Sequence, residues 1–206
     1  MDSIDFVYVV VEEPSAEAAL QYLLPRLLGE VPFQVIAFHD KQELLGKLPV
    51  RLRGWACWLP PTMRVVVLVD LDNDDCHALK GMLEEMAREA GLSTRTVAGG
   101  ASGQVANRIV IEELEAWFIG DADAVRAAFP GVSATFERNR SLRDPDAVRG
   151  GTWEALSRVL RRAGYFVTGY RKITAARAIA EHMDPERNRS KSFQVFRDAC
   201  REWGGV

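Results

Sequence analysis

Arg64-Val65-Val66-Val67-Leu68-Val69-Asp70-Leu71-Asp72-Asn73-Asp74-Asp75-Cys76 is the stretch whose reading decides the fold. An unbroken Val/Leu run with no polar alternation predicts a strand over Val65–Val69 buried on both faces, as in a parallel sheet covered by helices. The run ends in four carboxylates. In open α/β sheets the carboxyl ends of strands are where ligands bind, and Asp70 and Asp72 put two oxygen donors on that rim, suited to a hard divalent ion such as Mg2+. Asp74 and Asp75 read more simply as the cap and first-turn charge of the following helix.

The same pattern recurs outward from this stretch. Ile4–Val11 is a second apolar run, ending in Glu12 and Glu13, and Pro14-Ser15 then opens an amphipathic helix through Leu28, capped by Ser15 or the turn before it. Phe33–Phe38 predicts a further strand, Lys41–Trp58 helical or irregular cover, and Asp75–Ala90 an amphipathic helix with Leu79, Met82, Leu83 and Met86 on one face. Thr94–Ala98 reads as a short strand. Gly99–Gly103 reads as a mobile connection, because it lacks the Gly-Lys-Ser/Thr of a phosphate cradle. Arg108–Ile111 predicts another strand, leading into Glu112, Glu113 and Glu115. Three strand exits on acids, joined by helices, predict an α/β fold with a mainly parallel, doubly wound sheet and a cation site along one edge.

Past Asp121 the texture changes. Ala122–Phe129 predicts a short helix, Pro130–Gly151 a long surface loop, and Trp153–Ala163, Ile173–Met183 and Phe193–Trp203 three helices. Residues 1–129 thus read as an α/β catalytic core, with 130–206 a basic helical extension packed on it, together one structural unit.

The 206 residues, 48% of them hydrophobic, suffice for one domain with a substantial core. No run approaches a membrane span and the amino terminus has no leader-like pattern, so a cytoplasmic protein without membrane association is expected. Cys57, Cys76 and Cys200 are scattered, as are His39, His77 and His182, which argues against a disulfide framework, a zinc site or a Ser/His/Asp arrangement and leaves the chemistry to carboxylates. The net charge of −3 hides an asymmetry: residues 1–136 hold 11 basic and 20 acidic side chains, residues 137–206 hold 15 and 9. That split suits an anionic partner near the basic half, and equally suits a solvated charged surface. Arg171, Lys172, Arg187, Arg189 and Lys191 carry the same two readings, as phosphate contacts or as a solvated helical face.

Glu12 at one strand exit and Asp70-Leu71-Asp72 at another resemble the Toprim domain of topoisomerases, bacterial primases and overcoming-lysogenisation-defect nucleases. A closer resemblance is to small prokaryotic Toprim-like proteins of unknown function associated with mobile-element defence. It is carried by the Glu12 turn, Leu68–Lys80, Ile111–Asp121, Tyr170-Arg171-Lys172 and Asn188–Phe193. The resemblance implies an Mg2+- or Mn2+-dependent nuclease acting on nucleic-acid phosphodiesters in phage defence, with Glu12 as general base and Asp70, Asp72 and Glu115 as metal ligands. Glu113 and Glu115 lie about 200° apart if helical, so only one points inward. Other roles compatible with the same acids are a silent regulatory subunit partnered with an ATPase, or a small-molecule phosphotransferase or phosphatase. Glu13 departs from the Toprim pattern, which has Gly there. A turn needing positive φ would be strained by about 1 kcal/mol or more at Glu13, whereas extended backbone would let its side chain project into solvent.

Overall fold

A computed structural model describes residues 3–100 and 102–204. Met1, Asp2 and Ala101, which belong to the leader and glycine-loop readings above, lie outside the described residues, as do Gly205 and Val206. Four strands, β1 (Phe6–Val11), β2 (Phe33–Ala37), β3 (Met63–Asp70) and β4 (Val105–Val110), form one all-parallel sheet in the order β2-β1-β3-β4. β3 sits between β1 and β4 and is buried from Arg64 to Asp70, which is why its sequence shows no alternation.

Helices cover both faces. On one, α2 (Lys41–Ala56) and α3 (Cys76–Glu89) press Leu44, Leu48, Leu52, Leu79 and Leu83 onto Val65, Val67 and Val69. On the other, α1 (Pro14–Leu28) is buried almost all round, because the sheet lies beneath it and carboxyl-terminal helices lie above. These upper helices are α8 (Lys172–His182) and α9 (Lys191–Gly204), joined by α5 (Glu115–Gly120), α6 (Ala122–Ala128) and α7 (Thr152–Arg162). The extension therefore completes the core of the α/β unit: one apolar cluster runs from Val7 to Trp203. Among the described residues no helix is long and apolar enough to cross a membrane.

Three local readings are corrected. Thr94–Ala98 is a helical turn, α4 (Arg95–Ala98), whose first turn is capped by Thr94 Oγ1 accepting from Val97 N at 3.3 Å; only Thr94 bridges to β4. β4 begins three residues before the predicted run, because Asn107, polar in sequence, lies at the sheet's edge where other side chains meet it. Pro130–Gly151 is no plain surface loop: Val132, Phe136, Leu142 and Val148 are buried, with 3-10 turns at Phe136–Arg138 and Pro145–Ala147.

Asn188–Phe193 clamps α5 in place. Asn188 Nδ2 donates to Trp117 O at 2.8 Å, Arg189 N donates to Gly120 O at 3.0 Å, and Trp117 Nε1 donates to Ser192 Oγ at 3.0 Å. A Cβ on Gly120 would stand 2.2 Å from Asn188 Oδ1 and 3.0 Å from Ser190 N. Gly120→Ala should therefore destabilise the protein by about 2–4 kcal/mol, read as a lower urea midpoint, because the clash is with an anchored side chain and backbone.

Candidate carboxylate site

In the order β2-β1-β3-β4 the direction of winding reverses between β1 and β3, and their carboxyl ends open a crevice there. The register pairs Val11 with Leu68, so Glu12, just past β1, and Asp70, ending β3, emerge side by side. Their carboxyls face each other closely enough to share a proton, and each is only 8% exposed. Asp70 Oδ2 accepts from Leu114 N at 3.3 Å, which ties the segment after β4 to this crevice. One residue later Glu115 opens α5, 1% exposed. Glu12 Oε2 and Glu115 Oε2 are buried and have no hydrogen-bond partner.

Burial is the first cause of the electrostatics here. It pushes Glu12 up to about 7, with repulsion from Asp72 and Glu13 partly offset by Asp70 and Lys41. Asp70 is driven well above the carboxylate range by burial and then by Glu12, Glu13 and Glu115. Glu115 rises to about 7 through burial, opposed by the Lys172 ammonium. The Tyr170 phenol beside Glu115 is raised by burial and by that carboxylate, and its hydroxyl makes no fully formed hydrogen bond. It is stacked on Trp153 with ring centroids 6.2 Å apart.

Two lysines hold the rim. Lys41 Nζ lies 3.0 Å from Asp72 Oδ2 and 2.8 Å from Asp74 Oδ2, and donates to Leu71 O at 3.2 Å. Lys172 Nζ reaches Glu13 Oε2 at 3.4 Å. Burial disfavours both ammonium charges, but the surrounding carboxylates outweigh it and keep both above the ordinary lysine value. Each is the first residue of its helix, α2 and α8, where the macrodipole disfavours a cation. A lysine opening a helix is the signal that could have marked Lys41, which the sequence reading missed; Lys172 is named there only as a phosphate contact or solvated residue.

The predicted residues therefore divide. Glu12, Asp70, Glu115 and Lys172 converge. Asp72, at φ +50, stays within electrostatic reach of Glu12 but is engaged at the rim: its N donates to Glu112 O at 2.9 Å and its carboxylate is paired with Lys41. Asp75 caps α3 by accepting from Ala78 N at 2.8 Å. Glu113 caps α7, accepting from Thr152 N, Thr152 Oγ1 and Trp153 N at 2.8–3.0 Å, which leaves Glu115 as the inward member of the pair. Glu13 is extended at φ −145, so no glycine is required, and its half-buried side chain turns onto Ser15 and Lys172 instead of projecting into solvent. Glu13 itself occupies the cap position of α1 without a side-chain cap bond, and Ser15 lies inside the helix.

Arg171 is exposed next to Lys172. Arg187 is committed elsewhere, its Nε and Nη2 at 2.7 and 3.0 Å from the fully buried Asp121. Arg189 donates to Arg143 O at 3.0 Å, and Lys191 Nζ donates to Gln194 Oε1 at 3.1 Å.

Among the described residues no three His, Cys, Asp or Glu side chains stand ready-grouped around a metal position. The donor chemistry still suits a hard cation, since the buried donors of the crevice are oxygens, and Glu12 Oε2 and Glu115 Oε2 have no partner. Burial likewise favours the protonated carboxyls. Glu12 and Glu115 bind protons more tightly folded, at about 7, than at their ordinary 4.5. Between those values the native state holds more protons than the unfolded chain, so stability is fully present below pH 4.5 and falls as pH rises through 7, by about 3 kcal/mol per group acting alone. In EDTA the melting temperature should drop from pH 5 to pH 8, and Glu115→Gln should flatten that slope; a slope unchanged by the substitution contradicts the assignment.

A family model described as "Domain of unknown function (DUF4276)" matches residues 11–200. Comparison with curated proteins and with solved structures returns no match. The matched span takes in all four strand exits, the lysine-bearing helix starts and the clamp on α5, and the chain accordingly belongs to the DUF4276 family.

Proposed function

We propose that this protein is a Mg2+- or Mn2+-dependent nuclease that hydrolyses nucleic-acid phosphodiesters, with phage or mobile-element defence as the setting its Toprim resemblance implies. The observation that carries the reading is Glu12 facing Asp70 at the β1/β3 switch point, with Glu115 near enough to raise Asp70 and one carboxyl oxygen each on Glu12 and Glu115 left without a partner. Asp70 and Glu115 would hold the ion, joined by Asp72 once it leaves Lys41. The ion, when bound, supplies the positive charge that lets a phosphodiester approach an acidic edge.

The chain's own groups account for the remaining needs. Glu12, with a pKa about 7, is suited to accept the proton of an attacking water at neutral pH. Lys172 balances Glu13 and Glu115, so the crevice is less repulsive than its acid count suggests. Exposed Arg171 lies beside it, where a backbone phosphate can be met.

A second reading has its own support. Lys41 already neutralises Asp72 and Asp74, and Lys172 Glu13, which would leave a quiet binding or regulatory subunit of an ATPase complex without need of an ion. Incubation of the purified chain with single- and double-stranded DNA and RNA in Mn2+ separates the two. The nuclease reading expects cleavage, reduced about 100-fold or more in Asp70→Asn and in Glu12→Gln. Cleavage that survives both substitutions, or no cleavage of any of these substrates, rejects it.

A further inference from the structure

A cavity of about 380 Å3 opens on the outer edge of β4, between the first turns of α3 and α9, and the carboxylate chemistry leaves it unexplained. β4 is the sheet's last strand, and its Asn107 carbonyl points outward, where Lys80 Nζ reaches it at 2.6 Å and Arg108 Nη1 at 3.1 Å. Lys80 is balanced by Glu84 at 2.8 Å. Arg108 has no such carboxylate bond, and its Nε is buried without a partner. Lys191 projects from the facing helix with only the neutral Gln194 amide on its Nζ. Burial, with Arg108's charge added, holds Lys80 below its ordinary value; burial and Arg95 do the same to Arg108. The site is thus crowded with cations that an anion would relieve.

The helix starts do not compete for that anion. Asp75 takes the Ala78 amide of α3, and Asp146 takes the Lys191 and Ser192 amides of α9, so side-chain cations are the free donors. One wall of the lining is apolar, made by Ile109, Ile111 and Val195, the last 53% exposed, and Cys76, His77, Asn107 and Ser192 complete it. Inorganic phosphate would leave that wall wet, whereas a phosphate carrying a flat, weakly polar group would cover it.

We propose that this cavity binds one nucleotide, its phosphate held by Lys191, Arg108 and Lys80 and its base or sugar laid against Ile109, Ile111 and Val195. The cavity lies toward the carboxyl end of β4, the edge on which Asp70 pairs with Val110, and it needs no metal. The proposal does not rest on the nuclease reading, because a free nucleotide and the terminal unit of a strand present the same chemistry.

Calorimetric titration of the full chain in EDTA at low salt tests it, using AMP, UMP, a 5′-phosphorylated single-stranded oligonucleotide and inorganic phosphate. Nucleotide or oligonucleotide should bind, weakened about tenfold or more by Lys191→Glu and by Val195→Glu, and unaffected by Val167→Glu, an exposed control that matches the charge change of Val195→Glu. Binding of the mononucleotides alone supports a free effector; binding of the oligonucleotide alone supports a strand end. No binding of any probe, equal binding in Lys191→Glu, or inorganic phosphate binding as tightly as AMP and UMP each overturns the proposal.

Discussion

The structure depends on the burial of Glu12 beside Asp70 at the point where the sheet's winding reverses. Two like charges at ~4 Å repel by roughly 4 kcal/mol even at an effective dielectric near 20, and desolvation adds to that. The pair persists only if something positive comes between them, either a shared proton or a cation. Its surroundings answer that need: Leu114 donates its amide to Asp70, Lys41 draws off Asp72 and Asp74, and Lys172 faces Glu13 and Glu115. These contacts offset part of the cost of the buried acids.

The carboxyl-terminal extension is what holds the third carboxyl in place. Glu115 sits on a six-residue helix too short to be stable alone, so its position comes from tertiary bonds. Asn188, Arg189 and Ser192 grip that helix at its carbonyls and indole, while Arg187 neutralises Asp121 at its far end. Arg187, Asn188, Arg189 and Ser192 thus hold α5 in place. The charge asymmetry between the halves of the chain arises in part from this internal pairing.

The strands and their acidic exits could be read from sequence because β1 and β3 are buried on both faces and leave continuous apolar runs. Glu12 and Asp70 could be read for the same reason, as abrupt ends of those runs. The start of β4 was missed because an edge strand tolerates Asn107, which interrupts the apolar signal, and Thr94–Ala98 was mistaken because a capping threonine beside valine resembles a strand. Asp72 follows Asp70 in the Asp-x-Asp pattern at the strand's end; its positive φ and its pairing with Lys41 are not legible in that pattern, because Lys41 is distant in sequence. Lys41 enters the site from the start of α2 and Tyr170 from the segment just before α8, both far in sequence from the acids they meet.

The claim at the centre of this account is that Glu12, Asp70 and Glu115 exchange protons for a divalent cation. Calorimetric titration with Mn2+ at pH 7, repeated in buffers of different ionisation enthalpy, measures binding and proton release together. The account predicts Mn2+ binding accompanied by release of about one proton or more, with both lost in Asp70→Asn. No Mn2+ binding up to millimolar concentration, or binding without proton release, would contradict it.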